Sequence, residues 1–167
     1  NQLVGHIDLG CIWAYGNSTV APWSEQFYIG GANSIRAFTL RSIGPGAYYP
    51  TASTSSYLDQ TGDVKFLANL EYRPRLFGNL YGAIFLDAGN VWTLHDRSDH
   101  PGGQLKLKNL PQQMALGTGV GLRYNLDFFV IRVDWGIGLH LPYKSGFYNL
   151  PNFGSSHSLH FAIGMPF

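Results

Sequence analysis

Apolar side chains recur at every second position in six separate stretches, and almost nowhere at the spacing of a helix. Residues 2–15 place Leu3, Ile7, Leu9, Cys11, Trp13 and Tyr15 on one face, with His6, Asp8 and Gly10 on the other. Residues 63–73 oppose Val64, Phe66, Ala68, Leu70 and Tyr72 to Asp63, Lys65, Asn69, Glu71 and Arg73. Residues 80–92 set Leu80, Ile84, Leu86 and Ala88 against Tyr81, Ala83, Phe85, Asp87 and Gly89. In residues 113–124, Met114, Leu116, Thr118, Val120, Leu122 and Tyr124 face away from Gly117, Gly119, Gly121 and Arg123. Residues 128–140 separate Phe129, Ile131, Val133, Trp135, Ile137 and Leu139 from Arg132, Asp134, Gly136, Gly138 and His140. Residues 158–167 close the series, with Leu159, Phe161, Ile163, Met165 and Phe167 on one face. The pattern predicts six strands, each with two chemically different faces.

The second face decides the class. A soluble sandwich shows Lys, Glu and Thr to water, whereas here that face is mostly Gly, Ala and isolated charges. The stretches are also longer than the usual 5–6 residues of globular strands, and they match tilted strands of about 9–11 residues that cross a bilayer. Aromatic residues gather at their ends (Trp13, Tyr15, Tyr72, Tyr81, Trp92, Tyr124), as in interfacial girdles. Connections alternate between short (74–79, 125–127) and long (16–62, 93–112, 142–157), which places the long loops on the outer side of an outer membrane. The expectation is an all-β, antiparallel transmembrane β-barrel.

Composition agrees. Only 13% of the 167 residues are charged, against about 25% in a soluble domain, beside 21 Gly and 15% aromatics. Eleven basic and ten acidic residues leave a net charge of +1, so no electrostatic footprint for nucleic acid exists. No apolar run is long enough for a membrane helix. A lone Cys11 excludes an internal disulfide and a multi-cysteine metal site. Neither a signal peptide nor an initiator Met precedes Asn1, which leads to the expectation of a processed or truncated chain.

The loop at 16–62 contains Phe27-Tyr28-Ile29-Gly30-Gly31-Ala32-Asn33-Ser34-Ile35-Arg36-Ala37-Phe38, followed by Ile43-Gly44-Pro45-Gly46. It resembles the F-x-x-G-G-x-x-S-(V/I/L)-R-G-(F/Y) and G-P signature of the BamA/TamA-like outer-membrane assembly family. Three further matches follow in order: Leu70-Glu71-Tyr72, Asp87-Ala88-Gly89-Asn90-Val91-Trp92, and a last strand ending in Phe167. Ala37 departs from the pattern, standing where the family has a glycine, the residue that tolerates positive φ.

The resemblance covers nearly the whole chain and implies the C-terminal six strands of a sixteen-stranded barrel. It implies that the loop about 16–62 folds back into the lumen, with Gly30, Gly31, Ser34, Ile35, Arg36, Ala37 and Phe38 as its functional motif. By its local sequence Arg36 is equally well a solvated loop residue. Inside a low-dielectric lumen it requires carboxylates, and Glu71 and Asp87 on the non-lipid faces are the candidate partners. The glycines at 117, 119, 121, 136 and 138 would leave room for the loop. Leu159, Phe161, Ile163, Met165 and Phe167 resemble a C-terminal sorting strand recognised by edge pairing, and are equally an ordinary lipid-facing strand.

The family also implies a cofactor-free insertase in the bacterial outer membrane, with unfolded β-barrel proteins as clients and upstream periplasmic domains. Periplasmic or lipoprotein accessory subunits are further partners. A polypeptide-translocating transporter of the same superfamily and a passive pore are the alternatives. Six strands fall below the eight of the smallest single-chain barrels, so two open edges and self-association of this segment are expected.

Other chemistry carries less. Gly117-Thr118-Gly119-Val120-Gly121 lies within a two-residue alternation, whereas a phosphate loop must open a helix. His157 and His160 fall on opposite strand faces and cannot chelate together. The segment Asp59-Gln60-Thr61-Gly62-Asp63 lacks the terminal Glu of an EF-hand. For an enzyme, His6 with Asp8 and Arg132 with Asp134 and His140 share faces, but no spacing specifies a nucleophile beside a base. No catalytic residue and no metal ligand is assigned.

Overall fold

The two-residue alternation produces strands wherever turn residues do not interrupt it. A computed structural model describes residues 1–50, 60–150 and 156–167. Its strands are β1 (Gln2–Cys11), β2 (Val64–Arg73), β3 (Arg75–Phe77), β4 (Leu80–Trp92), β5 (Ala115–Asn125), β6 (Val130–His140) and β7 (His157–Ile163). They form one antiparallel sheet in the order β1-β2-β4-β5-β6-β7, with β3 a short addition to β4. Neighbours in the sheet are neighbours in sequence, β3 apart. A 3-10 turn (Leu107–Asn109) runs into the short helix α1 (Leu110–Gln113) before β5.

Register ties the faces together. Asn69 pairs with Asp87 across β2 and β4, Asp87 with Gly117 across β4 and β5, and Arg123 with Arg132 across β5 and β6. Because strand side chains alternate, those residues share one face, here termed inner. Leu3, Ile7, Leu70, Ile84, Leu86, Val120, Leu122, Trp135, Leu159 and Phe161 are all exposed on the other face. The polarity is the reverse of a water-soluble sheet.

The apolar core therefore sits between the inner face and the long loop, not between two sheets. Ile29, Ile35, Ala37, Phe38 and Ile43 of the loop pack with Leu67, Val91, Ala115 and Leu141. The three isoleucines are fully buried, and each contributes roughly 1.5–3 kcal/mol by leaving water.

Three expectations are corrected. The first strand ends at Cys11, not Tyr15: Ile12 makes one further sheet-like bond, donating to the Asp63 carbonyl at 2.8 Å, and residues 13–15 lie outside the strand. Trp92 is no girdle residue: its ring is 1% exposed and its indole donates to Gln113 Oε1 at 2.8 Å, because the 105–113 segment folds over it. The last strand ends at Ile163, since Gly164 has a φ of 95° and breaks the alternation. Phe167 consequently swings to the inner side, where its ring stacks on His6 of β1 at 5.2 Å between centroids. The sheet is thus curled enough to bring its two ends close, although among the described residues no ladder joins β1 to β7. Asp59, the start of the calcium-like segment, lies outside the described residues, as does part of the connection before β7.

Candidate functional site: a docked arginine loop

Gly30 and Gly31 begin the loop's descent, with φ of 107° and 94°. At Gly30 a side chain would also collide with the Thr39 carbonyl. Gly30 donates to Ser34 Oγ at 3.2 Å, and Gly31 donates to the Phe38 carbonyl at 2.9 Å. The segment between them becomes a compact bulge with Arg36 at its inner end.

Arg36 is 0% exposed, and so are Glu71 and Asp87. Its guanidinium forks onto Asp87, from Nε to Oδ2 at 2.9 Å and from Nη2 to Oδ1 at 2.8 Å. Its main-chain N–H donates to the same carboxylate at 3.0 Å, and its Nη1 pairs with Glu71. The Phe85 ring lies 3.6 Å beneath the guanidinium carbon, a cation–π contact. A buried charge needs such a full set of partners, because each unmet hydrogen bond or charge leaves its desolvation cost uncompensated.

The same network reaches further than the residues singled out by the loop motif. Arg73 Nε donates to Glu71 Oε1 at 2.6 Å, and Arg123 Nη2 to Glu71 Oε2 at 3.1 Å. Arg123 also pairs with Asp134 at 2.5 Å, and Asp134 with Arg132 at 3.1 Å. Arg132 returns to the loop, donating to the Ala32 carbonyl at 2.9 Å and to Asn33 Oδ1. Asn69 donates to Asp87 Oδ1 at 2.8 Å and to the Ser34 carbonyl at 2.9 Å. On β7, His160 Nε2 donates to the Arg36 carbonyl at 2.8 Å and Ser158 Oγ to the Ala37 carbonyl at 3.3 Å. The loop is bonded to β2, β4, β6 and β7 at once.

Small residues make the fit possible. A Cβ on Gly136 would collide with the Arg36 carbonyl, and one on Gly117 would collide with the Ala37 methyl. Gly138 leaves space for the Phe38 ring at 3.0 Å, Gly119 for the Phe85 ring, and Gly121 for the Arg123–Asp134 pair. Ala37 is not among the positive-φ residues. Its backbone makes no demand for glycine, and its methyl occupies the place a side chain at 117 would take.

Asn69, Arg73, Arg123 and His160 went unassigned by motif, yet each has the inner-face parity of its strand. That parity is the signal that finds them. The other candidates separate: His6 donates to Asn69 Oδ1 at 3.2 Å, while Asp8 holds Lys65 at 2.7 Å. His140 meets the Met114 carbonyl at 2.8 Å. Asp63 accepts from Gln26 at 3.0 Å and from the Leu94 N–H at 3.2 Å. Among the described residues no group of three or more His, Cys, Asp or Glu side chains is placed to hold a metal ion. Leu159, Phe161 and Ile163 are exposed along β7, Met165 less so, and Phe167 has left their face.

An antiparallel sheet that is apolar outside, charged inside and braced by an inserted loop defines a class, the β-barrel-type wall that inverts soluble polarity. The chain belongs to the Omp85 superfamily, whose domain model matches residues 1–167. It is 32% identical over 103 residues to the sorting and assembly machinery component 50 homolog A of Xenopus laevis, covering 60% of this chain and 21% of that protein. Homolog B of the same species is 31% identical over 126 residues, 74% of this chain and 26% of that protein. The human homolog is 30% identical over 105 residues, 60% and 21% respectively. The chain thus spans about a quarter or less of these curated relatives.

Proposed function

We propose that this chain forms the C-terminal six strands of a sixteen-stranded barrel of the BamA/TamA type in the bacterial outer membrane. The whole protein folds and inserts β-barrel clients through a strand seam that opens. The observation that carries the reading is the contrast between a braced interior and bare edges. The Arg36 loop is bonded to β2, β4, β6 and β7, so the wall holds its shape from within. The free edge of β7 has no ladder partner among the described residues, and unpaired strand backbone is a template for an incoming strand. The relatives' names, components of a sorting and assembly machinery, point the same way.

On this reading the work is done by backbone pairing, with no cofactor and no catalytic side chain. Periplasmic or lipoprotein subunits deliver clients, and the lipid bilayer receives them. A passive pore is disfavoured by the loop that fills the inner face, and a transporter would have to displace Arg36 from its carboxylates. Taken alone, the chain associates with a second copy through its edges.

The test is site-specific photo-crosslinking in the full-length protein. An insertase gives client cross-links from the β7 edge, at Leu159 or Phe161. Cross-links confined to inner-face positions such as Ser158 and His160 would favour transport through the lumen and overturn the seam.

A further inference from the structure

The connection from β4 to β5 contains Leu105-Lys106-Leu107-Lys108-Asn109-Leu110-Pro111 and lies over the long-loop ends of the strands. Its leucines, with Leu9, Phe66, Trp92 and Met114, line an outward-opening groove of about 420 Å³. Trp92 is buried there, while Leu107 is 79% exposed. Lys65 also lines the groove, but its ammonium is taken by Asp8 at 2.7 Å. Lys106 and Lys108 are exposed, and among the described residues neither has a carboxylate within ion-pair distance.

We propose that this groove seats an acyl chain of an anionic membrane lipid, whose phosphate is held by Lys106 and Lys108. The inference rests on the membrane reading above and goes beyond it, since a lipid-facing wall needs only a smooth apolar surface. Here the surface is concave, shares Leu9 with the exposed outer face that carries Leu70, Ile84 and Leu86, and its lining Leu105 and Leu107 alternate in sequence with the exposed Lys106 and Lys108. An apolar slot beside cationic side chains matches an amphiphile with a negative head. A water-soluble anion has nothing to place in the slot. A neutral lipid leaves the lysines unmatched.

The experiment is native mass spectrometry of the full-length protein released from nanodiscs of phosphatidylcholine mixed with phosphatidylglycerol. Phosphatidylglycerol should be retained preferentially, with affinity falling about fivefold for each of Lys106→Gln and Lys108→Gln. Lys106→Arg and Lys108→Arg should keep it. Leu107→Asp should lower retention of both lipids. Unchanged selectivity in the double glutamine variant overturns the site. A separate readout protects the distinction: brominated phosphatidylcholine should quench tryptophan fluorescence through Trp135, 40% exposed on the outer face. Quenching without headgroup selectivity defeats the lipid site alone. No quenching defeats the membrane reading and the lipid site with it.

Discussion

Arg36 and Arg41 sit five residues apart in one loop and are held by different physics. Arg36 is fully buried, gripped by Asp87 and Glu71, and lies over Phe85. Arg41 is partly exposed, with a φ of 56°, and its guanidinium carbon lies 4.9 Å from the Trp23 ring and 4.2 Å from Tyr28. Water still solvates Arg41, so aromatic faces suffice for it. Arg36 has lost its water, and only ionised partners with full hydrogen bonding offset that loss. Burial, not residue type, decides what an arginine requires.

The largest expected effect comes from breaking the buried side of this comparison. Arg36→Ala strands the buried Asp87 without its cation, while Glu71 keeps Arg73 and Arg123, and should cost about 3–5 kcal/mol. Thermal unfolding in detergent, with limited proteolysis of the loop, measures it. An unchanged melting curve would mean that the network rearranges around the gap. Arg36→Lys keeps the charge but loses the fork onto Asp87. It should cost about 1.5–3 kcal/mol, the scale of a hydrogen bond to a charged group. If lysine serves as well as arginine, geometry at Asp87 is irrelevant.

Gly136→Ala tests the same docking from the sheet side. Its Cβ meets the Arg36 carbonyl, which is backbone and cannot rotate away. Overpacking of this kind costs about 1–3 kcal/mol, and cleavage within the loop should accelerate. Arg41→Ala should lose only about 0.5–1 kcal/mol, the value of an exposed cation–π contact. A loss as large as that of Arg36→Ala would erase the contrast.

The smallest effect belongs to an exposed pair. Asp99 is held at about 2, below its ordinary 3.8, mainly by the hydrogen bond from Arg97. A carboxyl depressed in the folded state stabilises above its unfolded value and loses that contribution as pH falls through the folded one. The contact should therefore be complete above about pH 4 and gone below about pH 2, as a carboxyl NMR titration of Asp99 would show.

The inner and outer faces were legible in the residues, because strand geometry sends neighbours to opposite sides whatever the rest of the chain does. That parity placed Glu71, Asp87, Arg132 and Asp134 on one surface, and the loop motif singled out Arg36. Parity says nothing of distance along the sheet. Glu71 receives Arg36, Arg73 and Arg123 only because register and curvature bring three elements to one point. Trp92 misled for a related reason: its alternation was that of a girdle residue, but the 105–113 segment covers it.

What the sequence determined by itself was therefore local: strand period, the inverted polarity of the two faces, and the glycines that keep the inner face shallow. Those follow from backbone geometry and side-chain size. The tertiary structure decided which charges meet, how far the sheet curls, and that Phe167 crosses after Gly164 to stack on His6. Each of these depends on groups far apart in the chain, and a single positive-φ residue was enough to reverse the face that alternation assigned to Phe167.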